Sequence, residues 1–290
     1  MNRLSIPASR PLLIEYVLLT KPGIIMGNAV TTVGGFALAS RGHFDLLLFL
    51  VTLIGISLII GSACVFNNYI DRELDQKMVR TQNRALAKGV ISTQNAMLFA
   101  SVLLLLGGFV LAYFVNFLVL AIALLGFFMY IGVYSFLKYY STHATLVGSI
   151  AGSIPPVIGY CAVTNCLDMG AAIFFIMMTF WQMPHFFAIA IYRLQDYEAS
   201  GIPVLPLKRG IQKTKIQMVL YIIGFIAASS LLTVYHYTGT IYFIVATLLG
   251  LSWLGFSIKG FMCKNHTVWA RKMFIFSLVV IMAICIAIPF

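Results

Sequence analysis

The residue types that could do chemistry in this chain concentrate in nine positions, from Asn67 to Asp75, directly after a hydrophobic segment of membrane length. The chain has eight Asp and Glu, and three of them lie here. If a helix continues through the stretch, Asn67, Asp71 and Asp75 fall at i, i+4 and i+8 and share one narrow stripe of its surface. An amide oxygen and two carboxylates form a hard oxygen site, which Mg²⁺ prefers and completes with substrate phosphates. The spacing predicts a catalytic magnesium site with these three residues as ligands.

A second acidic stretch, Tyr192 to Ser200, ends a later hydrophobic segment and echoes the first. Each stretch is followed by a basic run that closes in glycine, and repeated halves of membrane proteins often place their sites in corresponding positions. We therefore expect Asp196 to approach a second metal ion from the other half of the chain. The echo is degraded, because Ser200 stands where Asp75 predicts an acid. The alternative for the first stretch is a helix end solvated by the cytoplasm, since single acids often flank membrane helices.

The basic runs supply candidates for binding a diphosphate. Arginine suits bidentate contacts with phosphate oxygens, and lysine adds a point charge. The alternative is plain membrane topology, which accounts for most basic residues in a chain of this kind. The candidates are Arg72, Arg80, Arg84, Lys88 and Lys208.

Membrane helices must position these residues. Hydrophobic residues make up 61% of the chain and charged residues 9%, and the mean hydropathy is +0.98, whereas soluble domains carry about 25% charged residues. A crossing takes about 20 apolar residues. Nine segments qualify: 22–40, 46–66, 96–115, 117–137, 144–163, 170–192, 217–235, 240–257 and 271–289. We expect an all-α integral membrane protein in which residues 1–290 form one domain, with nine transmembrane helices around a central cavity.

The distribution of charge predicts the orientation. If the nine crossings are right, one side of the membrane receives 18 of the 19 Lys and Arg, and Arg41 alone is left for the other. The positive-inside rule places the basic side in the cytoplasm. The short N-terminal segment 1–21 and both acidic stretches would then be cytoplasmic, the C-terminus external, and the protein a multi-pass component of the cell inner membrane. A nucleic-acid partner is not expected, because no folded basic domain presents the charge.

The aspartate spacing after the second crossing, with an acidic loop after the sixth, resembles the UbiA-type intramembrane prenyltransferases. The strings WQMPHF and IPVLP are similar to those of the branch that farnesylates haem. The resemblance covers nearly the whole chain, and Ser200 departs from the fuller second aspartate pair of quinone-type relatives. The supporting strings are KPGI (21–24), VFNNYIDR (65–72), PPVIGY (155–160), WQMPHF (181–186) and GIPVLP (201–206).

The resemblance implies transfer of a farnesyl group from farnesyl diphosphate to a vinyl group of protohaem (haem B), with Mg²⁺ as cofactor and haem as substrate. It also implies hand-over of the product to a haem A synthase or a terminal oxidase. Two alternatives stay open. An aromatic-acid prenyltransferase of quinone synthesis predicts a full second aspartate pair, and a membrane transporter predicts a charged residue well inside the crossings.

Five residues within the crossings are candidates for lining a haem or prenyl pocket. His185 is the sharpest, because an ionisable residue inside a membrane helix is a functional hypothesis by default and a neutral imidazole can ligate haem iron. The alternative is a histidine hydrogen-bonded between helices. Adjacent prolines at 155 and 156 leave carbonyls unpaired at mid-membrane, which is tolerated where a helix is buried in protein or lines a cavity. The candidates are Asn28, Pro155, Trp181, Gln182 and His185.

Overall fold

The computed structural model describes residues 11–290, and this part of the chain contains helices and no strand. In chain order the helices are α1 (Leu12–Leu19), α2 (Pro22–Ser40), α3 (Leu46–Asp75), α4 (Thr93–Phe114), α5 (Phe117–Phe128), α6 (Ser135–Leu137), α7 (Ala144–Gly152), α8 (Ile154–Thr164), α9 (Met169–Tyr192), α10 (Leu194–Ser200), α11 (Leu205–Arg209), α12 (Ile211–Val234), α13 (Thr240–Lys259) and α14 (His266–Ala287). A π-helical turn, Met129–Tyr134, joins α5 to α6.

Nine segments of the described residues are long and apolar enough to cross a membrane, as the sequence predicts. Three of them are composite: α5 to α6 form the fourth span, α7 with α8 forms the fifth, and α13 with the 3-10 turn Gly260–Met262 forms the eighth. Several spans are longer than predicted. Helix α3 reaches Asp75 rather than 66, α12 begins at Ile211 rather than 217, and α14 begins at His266 rather than 271. Long basic side chains at such ends keep their apolar stems along the helix and their charges in water, so the helices continue beyond the hydrocarbon layer.

The predicted N-terminal segment 1–21 lies partly outside the described residues. Its described part forms α1, whose last residue, Leu19, is buried with Val65 of α3 and Ala96 of α4. The same apolar cluster includes Ala85 and Leu86 of the loop between α3 and α4. This loop is therefore anchored against the helix ends and can hold a side chain in a fixed position.

The fifth span is broken rather than bent. Helix α7 ends at Gly152, Ser153 lies between the two halves, and Pro155 and Pro156 lie in the first turn of α8. Amide groups of a first helical turn have no intrahelical acceptor, so the prolines remove no hydrogen bond that α8 could have made. Pro155 is buried among helices, in keeping with the rule for breaks at membrane depth.

Helices α2 and α8 cross with their backbones almost in contact. A Cβ atom at Gly35 of α2 would lie 1.9 Å from the carbonyl oxygen of Pro156, and a Cβ at Gly159 of α8 would lie 2.2 Å from that of Thr32. Small residues at helix interfaces in membranes permit such close approach. This crossing ties the first span to the fifth.

One lysine is fully buried one turn into α12. The Lys215 ammonium donates to the carbonyl of Gly260 at 2.5 Å and lies 4.8 Å from the ring of Trp269. It connects the starts of α12 and α14 with the end of α13, which is a packing role. The transporter alternative predicts a charge well inside a crossing, and Lys215 lies at the edge of one.

Candidate active site

Helix α3 continues through the first acidic stretch, as the spacing requires. Asn67, Asp71 and Asp75, called the oxygen stripe below, therefore lie at i, i+4 and i+8 of one helix. Asn67 is 3% exposed and Asp75 4% exposed. Polar groups buried to this extent need hydrogen-bonding partners, and each member of the oxygen stripe has a basic one.

Asp71 is held from the end of the fourth span. The ammonium of Lys138 donates to its two carboxylate oxygens at 2.6 and 2.5 Å, and the hydroxyl of Tyr139 donates to Oδ1. Both residues follow α6 directly. Burial lowers the pKa of Lys138, and the charge of Asp71 opposes that shift. Burial and then the hydrogen bond to Asp71 raise the pKa of Tyr139, which stays a donor.

Asn67 is held on both sides of its amide. The ammonium of Lys21 donates to its Oδ1 at 2.6 Å, and its Nδ2 donates to the hydroxyl of Ser135 at 3.1 Å. Ser135 donates in turn to the carbonyl of Tyr130, five residues back, which is the spacing of the π-helical turn. Such turns are frequent at functional sites. Here the turn places the Ser135 hydroxyl against α3.

Asp75 is paired with Arg84 of the anchored loop. One guanidinium nitrogen donates to both carboxylate oxygens, at 3.0 and 2.7 Å, and the Arg84 side chain is 24% exposed. Two electrostatic effects link this pair to the rest of the stripe. The pKa of Lys21 is lowered to about 8, chiefly by burial; the charge of Arg84 contributes to the lowering, and the charge of Asp71 opposes it. Three cations and two carboxylates thus form one coupled group that can accept an anion of high charge.

Two of the predicted site residues, Arg72 and Asp196, contact neighbours in their own segments and not the oxygen stripe. Arg72 donates to Glu73 at 3.1 Å and stacks on Tyr69 at 4.4 Å, so its charge is directed away from the oxygen stripe. Asp196 lies 3.8 Å from Arg193 and, among the described residues, has no contact with the stripe. The reason is that α9 ends at Tyr192 and α10 begins at Leu194, so no straight helix carries Asp196.

The remaining predicted cations are not drawn into the site. Arg80, Lys88 and Lys208 are exposed and form no ion pair with any described residue. Of these, Arg80 is close enough to lower the pKa of Tyr197, which burial raises. The structure thus brings Arg84 to the stripe and leaves the other predicted cations at the surface.

The donor set fits a hard cation, although no three His, Cys, Asp or Glu residues are gathered within residues 11–290. The oxygen stripe presents only amide and carboxylate oxygens, which suit Mg²⁺. Its two carboxylates lie on successive turns and come with cations that suit phosphate oxygens. A metal ion there would share its ligands with a phosphate-bearing substrate.

The pocket candidates of α9 form one packed group with α14. Trp181 donates through Nε1 to the carbonyl of Ser277 at 2.9 Å, and Nδ1 of His185 lies 2.8 Å from the Ser277 hydroxyl oxygen. The rings of Trp181 and His185 stack with centroids 5.0 Å apart.

The two remaining candidates form no hydrogen bond with this group. Gln182 is 5% exposed, and its buried amide oxygen has no hydrogen-bonding partner among the described residues. This oxygen lies beside Gly152 of α7, and a Cβ atom at residue 152 would be 2.3 Å from it. Asn28 donates to Ile24 of its own helix at 2.8 Å.

Sequence reasoning missed four residues whose side chains contact the oxygen stripe: Lys21, Ser135, Lys138 and Tyr139. For Lys21, Lys138 and Tyr139 the sequence carried a usable signal. Lys21 opens the KPGI string, and Lys138 is the one Lys or Arg between the fourth and fifth crossings, followed directly by two tyrosines. A lone cation at the end of a span on the basic side of the membrane is easily attributed to topology alone.

Comparisons with known proteins identify similar sequences over nearly the full length. The profile of the UbiA prenyltransferase family matches residues 28–279. The chain is 54% identical over 275 residues to the protoheme IX farnesyltransferase of Protochlamydia amoebophila, covering 95% of this chain and 97% of that protein. It is 49% identical over 274 residues to the protoheme IX farnesyltransferase of Edwardsiella ictaluri, covering 94% and 92%.

Solved structures share the fold at low sequence identity. A digeranylgeranylglyceryl phosphate synthase superposes with a TM-score of 0.79 at 18% identity, over 96% of this chain and 97% of that one. A UbiA homolog from Archaeoglobus fulgidus bound to GPP and Mg²⁺ superposes with a TM-score of 0.66 at 14% identity, over 95% and 99%.

Proposed function

The chain belongs to the UbiA prenyltransferase family, and we propose that it transfers a farnesyl group from farnesyl diphosphate to a vinyl group of protohaem, giving haem O. The carrying observation is the 54% identity, over 95% of the chain, to a protein named for that reaction. The described site supports the same chemistry, because hard oxygens and partly buried cations lie together at the end of a membrane helix.

Ionisation of the allylic diphosphate is the step that the oxygen stripe serves. The carbon–oxygen bond breaks and its electron pair leaves with the diphosphate, so charge accumulates on the leaving group. Lys21, Lys138 and Arg84 stand at the three members of the stripe, and fixed cations that face developing negative charge lower the barrier. The vinyl group of the porphyrin then attacks the allylic carbon, water captures the new cation and a proton is released. No side-chain nucleophile is needed.

We propose that the reaction depends on Mg²⁺ held by Asn67, Asp71 and Asp75, with Asp196 contributing to a second ion. When bound, the ion neutralises the leaving diphosphate. Support comes from the fold neighbour from Archaeoglobus fulgidus, which was solved with GPP and Mg²⁺. Asp196 has the weaker support, because Arg193 is its nearest ion-pair partner among the described residues.

The acceptor distinguishes this proposal from the aromatic-acid alternative. The missing acid at Ser200, the names of the relatives and the buried ring cluster of Trp181 and His185 all favour a porphyrin. The deciding experiment supplies purified protein with Mg²⁺, farnesyl diphosphate and either haem B or 4-hydroxybenzoate, and identifies the product by mass. A farnesylated haem is expected. A prenylated benzoate in its place would contradict the proposal.

We further propose that the protein lies in the cell inner membrane with the oxygen stripe facing the cytoplasm and the C-terminus outside. Reporter fusions after Asn116, Asp168 and Tyr237 should read as external, and fusions within 76–92, 138–143 and 204–210 as cytoplasmic. These positions lie outside the nine membrane-length spans of the described residues, so the fusions should not break a span. An external signal from 76–92 would contradict the proposed orientation.

His185 is proposed to contact the porphyrin. His185→Ala should weaken haem binding and shift the absorption spectrum of bound haem, while the Kd for farnesyl diphosphate stays near that of the wild type. The reason is that the imidazole is packed with Trp181 and Phe274, whereas the cations of the oxygen stripe belong to other elements. If the imidazole only packs helices, the variant should lose stability and affinity for both substrates alike, and that outcome would contradict the proposal.

A further inference from the structure

The hydrogen bond between α9 and α14 fixes the tautomer of His185. The Ser277 hydroxyl oxygen lies 2.6 Å from the carbonyl oxygen of Phe274, and two oxygens approach that closely only with a proton between them. A serine hydroxyl has one proton, so that proton is committed to Phe274. The 2.8 Å contact with His185 therefore has Nδ1–H as its donor and Ser277 as its acceptor.

The other ring nitrogen is then an acceptor. In a neutral imidazole one nitrogen carries the proton and the other a lone pair, so Nε2 of His185 carries the lone pair. Nε2 forms no hydrogen bond with any described residue. His185 keeps 9% of its surface exposed, so its unpaired nitrogen is the polar atom of the ring that is left to meet a bound molecule.

The orientation of the His185 ring is also fixed by α14. Ser277 accepts from Trp181 through its backbone carbonyl at 2.9 Å while its hydroxyl accepts from His185. Trp181 stacks on the imidazole, and Phe274, whose carbonyl receives the serine proton, has its ring centroid 4.9 Å from that of His185. A second polar atom on this part of α9, the buried amide oxygen of Gln182, also lacks a partner among the described residues.

We propose that Ser277 is a positioning residue that holds His185 in the Nδ1–H tautomer, so that Nε2 presents its lone pair to the iron of the porphyrin acceptor. Metal-bound histidines almost always donate their second ring N–H to an acceptor that fixes the tautomer and ring orientation. Ser277 supplies that acceptor from a helix 92 residues further along the chain. The inference rests on the proposed function, because it takes the acceptor to be haem.

Ser277→Ala is a clean test, because the contact with Trp181 uses the backbone of residue 277 and survives the change. The full-length protein is loaded with haem B in detergent, and the iron–histidine stretch is measured by resonance Raman in the ferrous state. We expect Ser277→Ala to shift or abolish this band and to raise the Kd for haem about tenfold or more, with the Kd for farnesyl diphosphate unchanged. Ser277→Thr, which keeps the hydroxyl, should restore the band.

Ser229→Ala provides the matched control. Ser229 is equally buried, lies in a span and donates to the carbonyl three residues back at 2.9 Å, but it contacts no histidine. Its variant should bind haem with the wild-type spectrum. A Ser277→Ala spectrum identical to that of the wild type would overturn the inference.

The two proposals can fail separately. A wild-type protein that yields farnesylated haem, but whose haem spectrum is unchanged by both His185→Ala and Ser277→Ala, would overturn the positioning inference and leave the function standing. A wild-type protein that shows the iron–histidine band, loses it in both variants and yet yields no farnesylated haem would overturn the function and support the ligand assignment.

Discussion

We expect Asp71→Asn and Asp75→Asn each to lower the rate of farnesyl transfer by about 10³-fold or more, which corresponds to about 4 kcal/mol in the barrier. Each change removes one charge from the oxygen stripe and leaves a cation, Lys138 or Arg84, without its carboxylate. The variants should still insert and fold, because an amide of the same shape keeps a hydrogen-bonding group at the end of α3. The measurement is the rate of product formation by purified protein, with size-exclusion profiles as the check on folding.

Glu73→Gln is the matched control for these variants. Glu73 lies in the same nine residues, but it is exposed, and within residues 11–290 it pairs only with Arg72. The control should retain near wild-type activity, as should Ser200→Ala, whose hydroxyl donates to the carbonyl of Tyr197 in its own helix. If either aspartate variant kept more than a tenth of the wild-type rate, the assignment of the oxygen stripe to the reaction would be wrong.

The second large effect is expected on stability. Gly35→Ala and Gly159→Ala should each lower the free energy of unfolding by about 4 kcal/mol or more, at the far end of the range for single substitutions. The new Cβ atoms would lie 1.9 and 2.2 Å from backbone oxygens of the opposite helix, and backbone cannot rotate away as a flexible side chain can. Thermal unfolding of the detergent-solubilised protein would measure the loss.

Gly27→Ala is the control within the same helix. Among the described residues, no atom beyond the neighbouring backbone of its own helix lies within 4 Å of a Cβ at Gly27, and alanine is favoured over glycine inside a helix by about 1 kcal/mol. This variant should be as stable as the wild type or slightly more so. Equal melting temperatures for Gly27→Ala and Gly35→Ala would contradict the close crossing.

The spans and the oxygen stripe could be predicted from the sequence, because both depend on the pattern of residues within one segment. Runs of about 20 apolar residues select membrane helices, and an i, i+4, i+8 spacing aligns Asn67 with Asp75 once α3 continues. Helix ends were less predictable. The helix boundary at Arg193 separates Asp196 from α9. The acidic stretch 192–200 contains no glycine or proline that would have predicted this boundary.

The basic partners of the oxygen stripe could not be predicted from a local pattern in the sequence. Lys21 and Asn67 are 46 residues apart, and Lys138 and Asp71 are 67 apart, so their pairing is decided by how whole helices pack. The same holds for His185. Its isolation in an apolar span indicates a role, but its acceptor lies on α14, and any of several buried serines could have met it.

The crossing of α2 with α8 also sets an order of events during synthesis. Gly35 and Gly159 are 124 residues apart in the chain, which at roughly 5–20 residues per second takes a ribosome about 6 to 25 s. During that interval the first span has left the ribosome while its glycine face has no helix to receive it. The contact between the first and fifth spans therefore forms only after the fifth span has been synthesised. A methyl group on that face would leave the insertion of each helix unaffected and would act only at this late step.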